Sequence, residues 1–399
     1  MSAVSRTRLS RDAQRLIALT EAFALSGCRV EDAYWENLLG ELLGKLLSGK
    51  KGQAIEHALD HLLNRNQNAY ELLVEQAETC SESLAIRHKD QDYDAVLFTA
   101  PIIAWTRYQL PDGTLTPAQS KSLRTELERH VFSDGVALAV MKQLVNFDQM
   151  PQSFHDTRVW TQRLANQALG VSNEACPLED ESELEGLLAD ARFVVGVAVA
   201  PKGHAIFRWQ DPAGEGFASR EQCREAWAQS CAPIVGGLFT GCQTHYLTPD
   251  AYYTNNREAD RHIRPLSLKA AVTWLQTAAN LPAANLRATI VGCGEAALEE
   301  YRIGFTTRRS NDVIYGCVWP ILSKEEATAD QDSSEGMDSV EEIAALLKEL
   351  GIPEVRRLPG LYPIEFCDDC GAPHFPNALG ELQHPELPEE TDLEPVQFH

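Results

Sequence analysis

Near residue 90 the hydrophobic period of the chain changes, and that change calls for a helical unit followed by mixed strands and helices. Upstream, apolar residues recur at helical spacing. Leu16, Ile17, Leu19, Phe23 and Leu25 form one stripe, with Ser10 as candidate N-cap and Gly27 as stop. Trp35, Leu38, Leu39, Leu42 and Leu46 form a second, in a helix over about 30–47. Further helices are expected over 54–64 and 70–80, and the short connections make neighbours antiparallel.

Downstream the pattern is β-rich. Residues 94–108 read as a strand in which Pro101 removes a ladder donor, so a bulge, an edge or a break is expected there. Pro111-Asp112-Gly113 signals a turn, and Thr116-Pro117 opens a helix reaching about Val131. The run 136–145 reads equally as strand or helix. Residues 192–200 form a strand, 201–203 a turn, 204–209 a returning strand, and 219–235 a helix. A polar loop leading into a Trp-bearing helix occurs twice, at Phe154–Trp160 and at Tyr252–Arg264 before the helix 266–279. Duplication of an α+β unit and chance likeness of two ordinary βα segments both account for this. Residues 288–291 form a strand, and 300–306 with 313–319 a hairpin about the turn 308–312. A last helix, 339–350, is stopped by Gly351 and Pro353.

The expected fold class is therefore α+β. The parts are a helical bundle at 1–90, two related units at 91–185 and 186–322 with antiparallel or mixed sheet, and an acidic linker at 323–337. A small helix with a Cys-x-x-Cys module at 338–380 and a disordered acidic tail at 381–399 complete the chain.

Charge narrows the partners. The net charge is -23, and 19 acidic against 4 basic side chains lie between Lys324 and His399. A sequence-independent grip on nucleic acid needs Lys and Arg to replace counterions, so no nucleic-acid partner is expected, nor docking on anionic lipid. No apolar run reaches membrane-spanning length. The start reads as a first structural helix, not a secretory or transit segment, which suits a cytoplasmic protein. The ten cysteines sit mostly in apolar settings, as reduced buried thiols do.

The sharpest chemical signal is Cys367-Asp368-Asp369-Cys370-Gly371. Such a turn aims two thiolates at one metal, and glycine permits the left-handed bend. A structural zinc needs four ligands and no second Cys-x-x-Cys exists. The candidate set is therefore Cys367, Cys370, His374 and His384, with Cys293 or Cys317 as alternatives from the sheet. A redox dithiol fits less well, because no helix follows and the two aspartates disfavour a thiolate. A plain turn is the bland reading.

Two polar segments could instead line a ligand pocket. His155 and Arg158 could carry a proton and grip an anion; Asn256, Arg257, Arg261, His262 and Arg264 form the densest polar cluster in the chain. Caps and solvated surface side chains are the ordinary explanation of both. Gly292-Cys293-Gly294 with Ala297 matches a dinucleotide fingerprint, but a hairpin follows where a helix is required. No P-loop, nucleophile elbow or His-Glu-x-x-His occurs.

The stretches Arg29–Trp35, Ala100–Arg107, Leu298–Phe305 and Phe366–Pro376 together resemble a bacterial protein family known only as a domain of unknown function. The resemblance covers nearly the whole chain and implies one architecture, with no activity attached. The cysteine stretch is similar to half of a zinc ribbon and lacks the second pair. The leading functional expectation is a binding or regulatory protein with a structural zinc knuckle and a protein or small-molecule partner. The rival is an enzyme acting on a small anionic or polar substrate between the His155 and Arg257–Arg264 segments.

Overall fold

The computed structural model of the chain describes residues 9–49, 52–63, 65–106, 110, 113–178, 189–295, 297–322 and 339–388. Four helices come first: α1 (Arg11–Ala24), α2 (Arg29–Ser48), α3 (Gln53–Leu63) and α4 (Gln67–Glu82). The side chains of Ser10 and Asn66 accept from the N–H groups of Ala13 and Ala69, capping α1 and α4. Their apolar stripes meet around Leu16, Leu39, Leu43, Ile55, Leu62 and Leu73, which gives the helical start a core of its own.

Six strands follow in one antiparallel sheet: β1 (Ser83–His88), β2 (Gln91–Trp105), β3 (Ala137–Val140), β4 (Ala189–Pro201), β5 (Gln243–Tyr246) and β6 (Asp250–Ala251). β2 and β4 pair along their length at its centre; β3 flanks β4, and β1, β6 and β5 share the other edge of β2. The helices α5 (Pro117–His130) and α7 (Arg220–Val235) pack on one face, and α6 (Phe154–Ala168) and α8 (Tyr252–Thr277) on the other. Alternate residues of β2 serve the two faces. Ala95, Leu97 and Ile103 join Trp160 and Leu164 of α6, while Phe98, Ala100 and Ile102 join Leu127 and Trp227 of α5 and α7. Burial on both faces explains the unbroken apolar run in the sequence.

Two runs have a similar order, β2-α5-β3-α6 and β4-α7-β5-β6-α8, the second with the extra two-residue strand β6. Both first helices open on the same reciprocal cap, Thr116 with Gln119 and Ser219 with Gln222.

The second sheet contains β7 (Leu286–Cys293), β8 (Glu300–Thr307), β9 (Val313–Pro320) and β10 (Glu354–Tyr362), in the order β10-β7-β8-β9. β10 runs parallel to β7, and the other pairs are antiparallel. α8 and α9 (Ser339–Glu349) cover one face, with Leu268, Leu275, Ile343 and Leu347 against Ile290, Ile303 and Phe305. The short strands β11 (Phe375–Pro376) and β12 (Leu382–Gln383) lie on the other. Residues 186–322 thus supply strands to both sheets. Gly292-Cys293-Gly294 leads from β7 straight into its antiparallel neighbour β8, so no dinucleotide turn forms.

Three local expectations differ from the structure, and the one for Pro101 is met in its edge form. β2 runs unbroken through Pro101. The Pro101 carbonyl accepts from Leu247 N at 3.0 Å, so its nitrogen faces the same edge. That edge carries a gap there, since β6 pairs with 98–99 and β5 with 102–105. The proline breaks its neighbour, not its own strand. Residues 204–209 form no returning strand: only Phe207 bridges, to Phe132, and a 3-10 turn follows over Arg208–Gln210. Aromatic stacking of Phe207 on Trp209, centroids 4.4 Å apart, holds this segment. His155 and Arg158 lie in the first turns of α6, and Asn256 to Arg264 lie within α8, so neither polar segment is a loop. Residues 381–388, expected as disordered tail, include β12, and Glu386 N donates to Val313 O at 2.8 Å. The linker 323–337 and residues 389–399 lie outside the described residues. Among those described, no helix is long and apolar enough to cross a membrane.

Candidate metal centre

The cysteine turn is built from main-chain hydrogen bonds. His374 N donates to Glu365 O at 3.0 Å, Phe366 bridges Pro373, and Cys367 N donates to Ala372 O at 2.8 Å. Gly371 N then closes the turn on Cys367 O at 2.9 Å, with Gly371 at φ +72, where a side chain is disfavoured. The two cysteine sulfurs therefore face the same side.

A second turn brings the histidine. Asn377 Oδ1 accepts from the N–H groups of Leu379 and Glu381, and Asn377 N donates to Glu381 O. This reversal pairs Phe375 with Gln383 and Pro376 with Leu382, so the next residues outward, His374 and His384, stand opposite one another. Cys370 Sγ lies 3.2 Å from His384 Nε2. One ligand atom from each of Cys367, Cys370 and His384 falls within 4.8 Å of the others, close enough to hold one metal ion. The ring of His374 stands edge-on to that of His384, centroids 6.5 Å apart, just outside this group. Its Nδ1 is buried without a hydrogen-bond partner, the nearest carboxylate oxygen, on Glu365, being 3.7 Å away.

The hairpin is seated on the second sheet by two glycines that face each other across β8 and β9, Gly304 and Gly316. A Cβ on Gly304 would stand 2.0 Å from Pro376 O, and one on Gly316 2.2 Å from the Phe375 ring. Only bare backbone allows this approach.

All ten cysteines are free thiols, and their environments separate them. Burial pushes Cys293 up to about 11 and Cys317 up to about 12, so both stay protonated. Cys317 Sγ instead contacts Ser267 O at 3.9 Å, and neither thiol joins the cluster. At Cys367 the shift reverses. The N–H groups of Asp369 and Cys370 point at its sulfur and hold its pKa below that of an ordinary thiol. Thiolate is the metal-binding form.

The other candidate residues each have a partner within the chain, Arg261 and His262 on the exposed side of α8. His155 Nδ1 meets Leu47 O at 2.7 Å, and Arg158 donates to Cys80 O and Ser83 O at 2.5 and 2.9 Å. Asn256 Oδ1 accepts from Thr99 at 3.4 Å, and Arg257 pairs with Glu78. Arg261 and His262 both reach Glu258, at 3.1 and 3.5 Å. Arg264 donates to Pro320 O at 2.6 Å and lies over the Trp319 ring. The two segments do adjoin, since Tyr253 hydroxyl donates to Thr157 Oγ1 at 3.1 Å.

This junction of α4, α6 and α8 contains a group that spacing did not single out. Glu82, at the end of α4, accepts from Tyr253 N at 2.9 Å and so caps α8. Burial raises its pKa to about 7. Only its place as the last residue before the strands hinted at such a role.

The fold and this cluster define an α+β protein with a Cys/His turn, close enough to hold a metal ion, docked on its second sheet. The chain belongs to the family described as Protein of unknown function (DUF2863), whose model matches residues 1–398. Neither the curated proteins nor the solved structures searched contain a match to the chain.

Proposed function

We propose that this chain is a non-enzymatic binding or regulatory protein whose C-terminal segment is clasped by one structural zinc ion. Cys367, Cys370 and His384 would be three ligands, and His374, the nearest further imidazole, the fourth. The reading rests on the convergence of three ligand atoms within 4.8 Å. Two thiolates with imidazole nitrogen form the donor set that tetrahedral zinc favours, and hard cations such as magnesium do not. The hairpin carrying both histidines is wedged against Gly304 and Gly316, so metal would fix this segment to the second sheet. That is a structural duty, and four protein ligands leave no open position for substrate.

The same reading takes the two runs of similar order as copies of one unit. It assigns the chain a cytoplasmic protein or small-molecule partner and no nucleic acid, in keeping with the net charge of -23. The test is elemental analysis of purified, reduced protein beside the double variant Cys367→Ser/Cys370→Ser. About one zinc per chain in the parent and none in the variant is expected. Metal-free parent protein, or a variant that keeps its zinc, refutes the proposal.

A further inference from the structure

We propose that Arg302 is the positioning residue of the metal-binding turn: a buried guanidinium on β8 that ties together the two stems from which the cysteine loop springs. The inference rests on the zinc reading above and adds how the site is held in shape.

The Arg302 side chain has no solvent exposure. Its Nη1 donates to Glu365 O at 2.6 Å and to His374 O at 2.8 Å. These two residues are themselves paired, through His374 N and Glu365 O, and they bracket the loop 366–373. One nitrogen thus bridges the outgoing and returning strands of the loop. A further contact comes from the ring of Phe366, the residue before Cys367, over which the guanidinium lies at 5.2 Å. Nε donates to Glu300 Oε1 at 2.7 Å, which fixes the side chain's orientation and balances its charge.

A buried ion pair between neighbouring strand residues needs only Arg302 and Glu300. The extra bonds to two carbonyls of a separate segment are what a positioning role requires. They hold the stems at fixed separation before metal arrives, so the sulfurs need not be ordered by the ion itself. Lysine would keep the charge but lacks the planar fork that serves carbonyls and carboxylate together.

The experiment measures zinc affinity by chelator competition, and the thiolate-to-cobalt absorption of cobalt-loaded protein, in the full chain and in two variants. Arg302→Lys should lose affinity by about ten- to a hundredfold and alter the cobalt spectrum while remaining folded by circular dichroism. Glu300→Gln, in which Arg302 itself is intact, should show a smaller loss of the same sign. If both folded variants keep parental affinity and spectrum, the Arg302 assignment is overturned and the zinc reading stands. If the parent binds neither ion, both fall. Should Arg302→Lys fail to fold, Glu300→Gln decides by the same criterion.

Discussion

Two regions of the molecule concentrate polar side chains, and they do so in opposite ways. At the junction of α4, α6 and α8, His155, Arg158, Asn256 and Arg257 are each already bonded to a carbonyl, carboxylate or hydroxyl of the protein, while Arg264 bonds β9 and the exposed Arg261 and His262 pair with Glu258 of their own helix. At the C-terminal turn, two sulfurs and an imidazole face one another, and a nitrogen of a second imidazole, on His374, is buried without a hydrogen-bond partner. The first region is complete without a ligand, and the second has coordination left to give. Density of polar residues in a sequence is thus a poor guide to a site, and convergence of metal-ligating atoms on one point is a better one.

The largest effect that would sharpen this contrast is loss of metal. Cys367→Ser/Cys370→Ser should take bound zinc from about one per chain to none and lower the melting temperature to that of chelator-treated parent, read by calorimetry. The paired control Arg257→Ala should leave zinc content unchanged.

Next comes pH. Glu82 is raised in the fold from 4.5 to about 7, so its contribution to stability is fully present below pH 4.5 and is lost as pH rises through 7. Glu82→Gln should flatten that decline, by roughly 1–3 kcal/mol across the window, in urea melts from pH 4.5 to 8. A decline of equal steepness in the variant would show that the junction does not hold this carboxyl neutral.

Gly316→Ala should destabilise the zinc-loaded protein by about 1–3 kcal/mol through collision with Phe375, and should weaken zinc binding as the hairpin lifts. Unchanged affinity would separate the seat from the site. The smallest effect is expected from Glu78→Ala. Arg257, its partner, is 38% exposed and can turn to water, so about 1 kcal/mol or less is lost, again with zinc retained.

The helical start and strands β2, β4, β7, β8 and β9 were legible because burial leaves its mark on the sequence, a period of 3.6 in α1 to α4 and of 2 in β8 and β9, whereas β1, β5 and β10 were not foreseen. The helix over Tyr252–Arg264 was not legible, because polar residues such as Asn255 and Arg257 lie on its protein-facing side as well as on its exposed side, and Pro265 looks like a boundary. Proline here costs α8 one main-chain bond, to the carbonyl of Arg261, and the helix continues through Leu268 to Leu275, anchored in the second core. At the site, the Cys367–Cys370 spacing carried its own meaning. The choice among histidines did not, since it depends on a turn centred on Asn377 that sets His374 opposite His384. Nor could spacing reveal Arg302, which reaches the loop from more than sixty residues away.

X-ray absorption at the zinc edge of the purified, reduced protein reads the donor set without any substitution. Two sulfur neighbours at about 2.3 Å and two nitrogens at about 2.0–2.1 Å are expected. A shell of oxygen and nitrogen alone would contradict the proposed clasp, and so would a protein without zinc.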